Sequence, residues 1–160
     1  MTDPDAVLEA FTGRAERLED LRGDVAYRAD REVAHALITR FREQGFNYLV
    51  FVTAVDNYLE EPRFEVIYRL RSLDKNVDVR VNVPVPGEDP EVETITDLYP
   101  AANWMEREVW DMFGVRFKGH PNLERILMWE GFSGHPLRKD YPLLGNTPGT
   151  PGHVGKGGKR

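Results

Sequence analysis

The sequence predicts an α+β domain, in which helices pack on one face of a mainly antiparallel sheet, followed by an extended irregular C-terminal arm. Segments with apolar residues every three or four positions indicate amphipathic helices, and segments of alternating apolar and polar residues indicate half-buried strands. These segments follow one another as helix, strand, helix, three strands and helix, an order typical of α+β domains. We expect the domain to cover residues 1–114, the docking arm residues 115–144 and a flexible basic tail residues 145–160.

The N-terminal part of the domain is predicted to contain two helices with a short strand between them. Apolar residues recur at helical spacing over residues 5–21, and residues 24–29 are expected to form a short strand. Asp30 is placed to cap a second helix, and Gly45 is placed to end it. The apolar face of this second helix is formed by Val33, Ala34, Leu37, Ile38 and Phe41.

Three strands are predicted to follow the second helix. Residues 46–55 are apolar at nearly every position, which predicts a central strand covered on both faces. Residues 64–70 and 77–83 alternate between apolar and polar side chains. We therefore expect two half-buried strands that are joined through residues 72–76 as an antiparallel hairpin or meander.

A short charged helix is predicted to close the domain. Prolines and a glycine end the sheet, and residues 91–99 are expected to form a short helix before the closing one. Asn103 is expected to cap the closing helix, with Glu106 at the spacing of a capping box, and Gly114 is expected to stop it. On this helix Arg107 and Asp111 are four residues apart, which predicts an ion pair.

The segment after the closing helix is irregular but apolar. Glycine and proline interrupt it, while large apolar residues continue through it as Phe117, Leu123, Ile126, Leu127, Met128, Trp129, Phe132, Leu137 and Tyr141. The remaining ~100 residues offer a modest core to bury such a segment, so we expect a partner surface to cover part of it. Residues 115–160 hold 8 Lys and Arg against 3 Asp and Glu, whereas residues 1–114 hold 13 against 24. The basic end is the expected contact region.

These residues also carry a family resemblance. The runs EREVWDMFGVRFKGHP, ERIL and GHPLRKDYP resemble the C-type, or thirty-kilodalton, subunit of proton-pumping NADH-quinone oxidoreductase, which is respiratory complex I. One departure is Glu124, where the family usually carries a basic residue or proline. The motif positions, which we expect to lie at subunit interfaces, are Glu106, Arg107, Glu108, Asp111, Gly114, Phe117, Gly119, His120, Pro121, Arg125, Ile126, Leu127, Trp129, Pro136, Leu137, Arg138, Lys139, Asp140 and Tyr141.

The resemblance implies a non-catalytic scaffold subunit of the peripheral arm. In that family this subunit binds no cofactor, and the FMN and iron–sulfur clusters are on other subunits. The implied partners are the quinone-site subunit (D-type) and the cluster-bearing subunits (B-type and I-type), at the cytoplasmic face of the bacterial cell membrane. An alternative is the equivalent subunit of a membrane-bound nickel–iron hydrogenase or of a related ferredoxin- or formate-linked complex. Within the arm, we expect Arg138, Lys139 and Asp140 to form inter-subunit ion pairs.

The residue types argue against chemistry within the chain. There is no cysteine, which excludes disulfides and all-cysteine iron–sulfur ligation. Two residues apart on a helix, Glu106 and Glu108 point roughly 200° away from each other, so we interpret them as solvated or interface charges. His120 and His135 each precede a proline without nearby metal-ligating companions, so we expect structural hydrogen bonds from them.

Other function classes are also disfavoured. Ser133 misses the nucleophile-elbow pattern by one position, and the tail lacks the glycine spacing of a phosphate loop. The net charge of −6 argues against nucleic-acid binding, and no apolar run approaches the roughly 18 residues of a membrane span. Of the tryptophans, Trp104 is expected in the core and Trp129 at an interface. A free-standing enzyme or nucleic-acid-binding domain is therefore the least favoured interpretation.

Overall fold

The computed structural model describes residues 4–18 and 25–142. A 3-10 helix, Pro4–Phe11, precedes the strands and α-helices. In chain order these are β1 Ala15–Arg17, β2 Val25–Ala29, α1 Arg31–Glu43, β3 Tyr48–Asp56, β4 Phe64–Ser72, β5 Val77–Val85, β6 Glu91–Glu93, α2 Ala102–Phe113 and β7 Arg116–Lys118. The predicted flexible tail, residues 145–160, lies outside the described residues.

The main sheet has five strands in the order β1–β2–β5–β4–β3. β3, β4 and β5 are antiparallel neighbours, β2 runs parallel to β5, and β1 is antiparallel to β2. The hairpin of β4 and β5 pairs from Phe64 opposite Val85 to Ser72 opposite Val77, which confirms the predicted hairpin. A separate small sheet pairs β6 and β7 in parallel. The predicted α+β fold with a mainly antiparallel sheet is confirmed.

The core lies between one face of the main sheet and the helices. Alternation along β4 and β5 sends one set of side chains into this core, and the predicted apolar residues of both strands are fully or almost fully buried there, apart from Val77 at the start of β5. From α1, Phe41 packs against Tyr27 of β2 with ring centroids 5.1 Å apart and against Phe46 at 5.6 Å. The opposite face of the sheet carries polar residues, where Asp78 pairs with Arg69 and Arg71.

The N-terminal prediction is only partly right. The strand predicted over residues 24–29 is present as β2 over its described residues, but within the described residues the helix predicted over residues 5–21 does not continue beyond Phe11. The 3-10 helix ends at Phe11, and Gly13 then takes a φ of +79°, which favours glycine and turns the chain into β1. The second helix, α1, is confirmed, and Gly45 follows it with a φ of +94°.

The predicted central strand is in fact an edge strand. β3 pairs only with β4 among the described strands, and its register shifts between Leu49 and Phe51. This bulge moves the alternation by one residue, so Leu49 and Val52 both face the core. Tyr48 and Val55 stay exposed on the other side. The apolar residues on both faces of this segment therefore reflect a bulge and an uncovered face, not two covered faces.

The region before α2 also differs from the prediction. Residues 91–99 form β6 and a turn, because this segment pairs with β7 rather than closing helical hydrogen bonds. α2 begins at Ala102 with Ala101 at the N-cap position, so the capping box of Asn103 and Glu106 is wrong. At the other end, Gly114 adopts a φ of +77° and stops the helix as predicted. Within the described ranges, no helix has the length and apolarity needed to cross a membrane.

Replacing Phe41 with alanine tests the position of the core. Phe41 is fully buried between β2 and the segment that follows α1, so Phe41→Ala should lower the free energy of unfolding by about 3–5 kcal/mol. Leu59 is 85% exposed, so Leu59→Ala should change it by less than about 0.5 kcal/mol. Urea unfolding of the full chain measures both, and equal effects would contradict the assigned core.

Candidate functional site

The candidate functional site is the arm where it folds back on α2, and a buried carboxylate of α2 holds it there. Asp111 is fully buried, and it accepts hydrogen bonds from the consecutive backbone N–H groups of Ile126, Leu127 and Met128 at 3.1, 2.8 and 3.0 Å. Arg125 donates to it at 2.6 Å. Burial opposes ionisation, but these bonds outweigh it and hold the pKa of Asp111 below its usual range.

The arm also satisfies the last carbonyls of α2. The last turn of a helix leaves its C=O groups without intrahelical partners. Here the carbonyl of Asp111 lies 3.0 Å from His135 Nδ1, that of Met112 accepts from the Leu137 N–H at 3.0 Å, and that of Phe113 accepts from Arg138 Nε at 2.5 Å. The arm is therefore attached to α2 through both a side chain and the helix terminus.

Gly114 allows this close approach. Its φ of +77° favours glycine, and a Cβ added there would lie 2.6 Å from Cδ2 of His135. A side chain at this position would therefore displace His135 from the carbonyl it binds. The motif glycine ends the helix and also leaves room for the arm.

A second attachment joins the arm to the turn after β3. Asp56, the last residue of β3, accepts from Arg63 Nε at 2.9 Å and from the backbone N–H of Lys139 at 2.8 Å. Arg63 also pairs with Asp140 at 3.0 Å. Burial of Asp56 would raise its pKa, but the bonds from Arg63 and from the N–H groups of Lys139 and Tyr58 outweigh burial and lower it to about 2.

Between these attachments the arm presents apolar side chains to solvent. Leu127 is 57% exposed, Trp129 46% and Leu137 54%. Trp129 packs edge-on against Phe132 at 4.8 Å, so one side of the indole is supported while the other faces outward. We call Leu127, Trp129 and Leu137 the apolar ridge. The N–H groups of Leu127 and Leu137 bind α2, which is the arrangement expected of a preformed contact surface.

The sequence matches the profile of the family described as respiratory-chain NADH dehydrogenase, 30 kDa subunit, over residues 27–147. The chain belongs to this family. The resemblance of its arm to the thirty-kilodalton subunit is therefore confirmed.

Two similar sequences and one solved structure extend this finding. The second C-type subunit of NADH-quinone oxidoreductase from Rhizobium meliloti (strain 1021) is 43% identical over 143 residues, which cover 88% of this chain and 78% of that protein. The C/D-type subunit of NADH-quinone oxidoreductase from Methylococcus capsulatus (strain ATCC 33009 / NCIMB 11132 / Bath) is 47% identical over 107 residues, 62% of this chain and 18% of that protein. A chain of the archaeal membrane-bound sulfane sulfur reductase, a respiratory membrane complex, superposes with a TM-score of 0.76 at 26% identity, covering 88% of this chain and 84% of that one.

Several predicted contacts of the motif residues are corrected by the structure. Arg107 does not pair with Asp111, because Arg125 occupies that carboxylate. Arg107 instead donates to the backbone carbonyls of Glu124 and Arg125 at 3.0 and 3.2 Å. Since the contact at Glu124 uses the backbone and the Glu124 side chain is exposed, the departure from the family pattern at this position leaves the contact intact.

Trp104 is 62% exposed, with the Arg107 guanidinium over its ring, so its predicted place in the core is wrong.

The charged run near the end of the arm has partners within the chain. Arg138 binds the Phe113 carbonyl and Asp140 pairs with Arg63. These two side chains therefore already have partners within the chain. Lys139 is exposed, so the predicted inter-subunit ion pair stays a prediction for this residue. The interface role of the motif positions as a set stays a prediction.

The histidines behave as predicted, but one glutamate does not. His120 and His135 bind the backbone carbonyls of Asn103 and Asp111 at 3.1 and 3.0 Å, which confirms their structural hydrogen bonds. Glu108 is exposed, whereas Glu106 is fully buried. The interpretation of Glu106 as a solvated or interface charge is therefore wrong. No group of three metal-ligating side chains occurs within the described residues.

The remaining motif positions divide between the core and the surface. Phe117 is buried in the core, and Arg125, Ile126, Pro136 and Tyr141 are partly buried along the arm. Gly119 and Pro121 are exposed in the turn after β7. Sequence reasoning missed Asp56 and Arg63, which no motif signals because their arm partners are more than 70 positions away in the sequence.

Asp111→Asn should loosen the arm. The amide cannot accept from three N–H groups and a guanidinium as the carboxylate does, so we expect the free energy of unfolding to fall by about 3 kcal/mol. Asp89→Asn is the matched control, because Asp89 forms exposed pairs with Arg31 and Arg116, and its loss should be below about 1 kcal/mol. Urea unfolding compares the two variants. A loss of unfolding free energy for Asp111→Asn no larger than that of the control would show that Asp111 does not hold the arm.

The pH dependence of stability tests the second attachment. The pKa of Asp56 is about 2 in the native state against 3.8 for the free group. This difference contributes about 2 kcal/mol of stability that is fully present above pH 3.8 and is lost as the pH falls toward 2. The stability advantage of the native chain over Asp56→Asn should therefore shrink as the pH falls from about 4 toward 2. Urea unfolding across this range measures it, and a constant difference would show that Asp56 is not held as an ionised group.

Proposed function

We propose that this chain is a scaffold subunit of the peripheral arm of NADH-quinone oxidoreductase, complex I, and that it supports electron transfer from NADH to quinone coupled to proton translocation. The observation that carries the proposal is the apolar ridge, which α2 holds in a fixed conformation. Family membership indicates the complex to which the chain would belong, and the ridge is the surface by which the chain would bind the other subunits. In this proposal the chain itself makes and breaks no bonds.

The ridge has the composition of an interface centre. Tryptophan is enriched at interface hot spots, where a rigid side chain enters a partner's pocket at little entropic cost. Leu127 projects from a backbone segment that three N–H bonds to Asp111 fix, and Trp129 follows this segment directly. Because the segment is ordered before binding, association would not need to order it. The ridge is therefore suited to contact another subunit.

The quinone-site subunit, D-type, is the partner that we place on the ridge. The relative from Methylococcus capsulatus carries the double designation C/D, and the part that matches this chain covers only 18% of it. The double designation indicates that the C-type and D-type units are parts of one polypeptide in that protein, which supports contact between the two units. The cluster-bearing B-type and I-type subunits are proposed as further neighbours, following the family.

The same proposal assigns the cofactors and location to the assembly. FMN and the iron–sulfur clusters would be bound by other subunits, and this chain would sit at the cytoplasmic face of the bacterial cell membrane through its partners. On α2, Glu106 is buried and Glu108 is exposed, so the two carboxylates do not converge on a substrate. The isolated chain is accordingly expected to show no NADH-quinone activity.

A second candidate is the equivalent subunit of a related membrane-bound complex, such as a nickel–iron hydrogenase or a ferredoxin- or formate-linked enzyme. The similarity in fold to a chain of the membrane-bound sulfane sulfur reductase favours it, because that chain belongs to a respiratory membrane complex that is not named as an NADH-quinone oxidoreductase. Purification with NADH-binding subunits supports the first candidate. Purification with a nickel-bearing large subunit and no NADH-binding subunit supports the second.

Polar substitution on the ridge should detach the chain from its D-type partner. Burying a leucine side chain contributes about 2 kcal/mol, so Leu127→Ser should lower the affinity for the D-type subunit by roughly thirtyfold. Affinity purification of the tagged full chain from its native membranes, with the D-type subunit quantified by mass spectrometry, measures the loss.

The matched control is Leu73→Ser, because Leu73 is 60% exposed in the turn between β4 and β5. This variant should recover the D-type subunit as the native chain does. Thermal unfolding of each purified variant checks that the fold is intact. Equal recovery of the D-type subunit with Leu127→Ser and Leu73→Ser would show that the ridge is not the contact surface. If the native chain recovered no oxidoreductase subunit at all, the proposed function itself would be overturned.

A further inference from the structure

A second buried carboxylate of α2 lies in surroundings unlike those of Asp111. Glu106 is fully buried beneath the turn that connects β6 to α2. It accepts a hydrogen bond from Thr94 Oγ1 at 2.5 Å and one from the backbone N–H of Ile95 at 2.8 Å. No arginine or lysine forms an ion pair with it among the described residues. A buried carboxylate without a cation is costly in its ionised form.

The other groups that face Glu106 do not supply that cation. His120 Nε2 is 3.9 Å away, but the Asn122 N–H donates to His120 Nδ1 at 3.0 Å, so Nε2 carries the single proton and donates it to the Asn103 carbonyl at 3.1 Å. Burial, with the nearby Arg107 charge, lowers the pKa of His120, although the bond to Asn103 opposes this. His120 is therefore neutral near pH 7.

More distant charges act on Glu106 in opposite directions. Asp97, in the turn, raises the pKa of Glu106, and His35, on α1, lowers it, while these two residues pair with each other at 2.9 Å. From β4, the Tyr68 hydroxyl is buried and has no hydrogen-bond partner within the described part of the chain. Burial, and then the charge of Glu106, raises the pKa of Tyr68. Burial thus dominates at Glu106 and raises its pKa to about 7, against the lowering effect of its bonds to Ile95 and Thr94.

Two threonine hydroxyls connect Glu106 to the surface. Thr94 Oγ1 lies 3.0 Å from Thr96 Oγ1, and Thr94 is buried whereas Thr96 is partly exposed. Each hydroxyl has one hydrogen to donate. With Glu106 ionised, Thr96 donates to Thr94 and Thr94 donates to the carboxylate. With Glu106 protonated, the carboxyl donates to Thr94 and Thr94 donates to Thr96. The same contacts therefore serve both protonation states.

We propose that Glu106 is a proton-binding site that exchanges its proton with solvent through the hydroxyls of Thr94 and Thr96. On uptake, an O–H bond forms at the carboxylate as that of Thr94 breaks, Thr94 takes the proton of Thr96, and Thr96 takes one from a solvent hydronium ion. The net change is one proton moved from water to Glu106. The site is independent of the proposed scaffold function.

The site also affects stability, with a defined sign. The pKa of Glu106 is about 7 in the folded chain and 4.5 for the free group. Between these values the folded chain binds more protons than the unfolded chain, so stability falls as the pH rises from about 4.5 to 7 and then levels off. This dependence is opposite in sign to that of Asp56, and Glu106→Gln should abolish it.

The experiment is a carbon-13 NMR titration of the full chain with glutamate labelled at the side-chain carboxyl. One resonance should titrate near pH 7, vanish in Glu106→Gln and persist in the matched control Glu108→Gln, whose carboxylate is exposed. In Thr94→Val the charged form loses a donor, so the midpoint should rise by about one pH unit. This shift identifies the resonance even if Glu106→Gln does not fold.

Thr96→Val tests the route separately. Because the Thr96 hydroxyl contacts Thr94 and not the carboxylate, its loss should move the midpoint by less than about 0.5 pH units. The same loss should slow exchange between the two protonation states by roughly tenfold or more, because it removes one positioned proton donor. A glutamate midpoint near 7 with an unchanged exchange rate in Thr96→Val would overturn the route. A native chain in which every glutamate titrates below about pH 5.5 would overturn the site.

Discussion

The buried Asp111 carboxylate is the interaction on which the arm depends. An irregular segment has no ladder or helix in which to pair its N–H groups, and unpaired buried N–H groups are costly. Asp111 solves this for three consecutive residues, and the Met112 carbonyl at the end of α2 solves it for Leu137. The neighbouring carbonyls of Asp111 and Phe113 bind the side chains of His135 and Arg138. The arm thus takes a defined conformation without secondary structure of its own, and α2 serves as its template.

The two buried carboxylates of α2 show how depth of burial and hydrogen-bond donors together decide charge. Asp111 has three N–H groups and an arginine, and its pKa is lowered. Glu106, about one and a half turns earlier, has one N–H and one hydroxyl, and its pKa is raised. Both side chains are closed to solvent, but Glu106 lies deeper in the protein than Asp111, so burial opposes its ionised form more strongly. The same helix therefore carries one permanent negative charge that orders the arm and one carboxyl whose charge depends on pH.

The sequence predicts what depends on local periodicity. Alternation in β4 and β5, the apolar face of α1 and the stop at Gly114 are all set within a few residues, and each was predictable. The edge position of β3 was not, because a bulge changes which side chains share a face. The burial of Glu106 and the pairing of Asp111 with Arg125 were not, because they depend on partners 11 to 17 positions away in the sequence. Family motifs located the arm, but they did not identify which motif residues bind one another.

Amide hydrogen exchange at Ile126, Leu127 and Met128 is the most direct test of the central claim, that α2 fixes the arm within the chain. In the full chain, without partners, we expect these three N–H groups to exchange as slowly as the amides of α2, because each is bound to a buried carboxylate. Exchange at the rate of an unstructured peptide would contradict the claim. It would mean that the arm is ordered only by the subunits that it contacts.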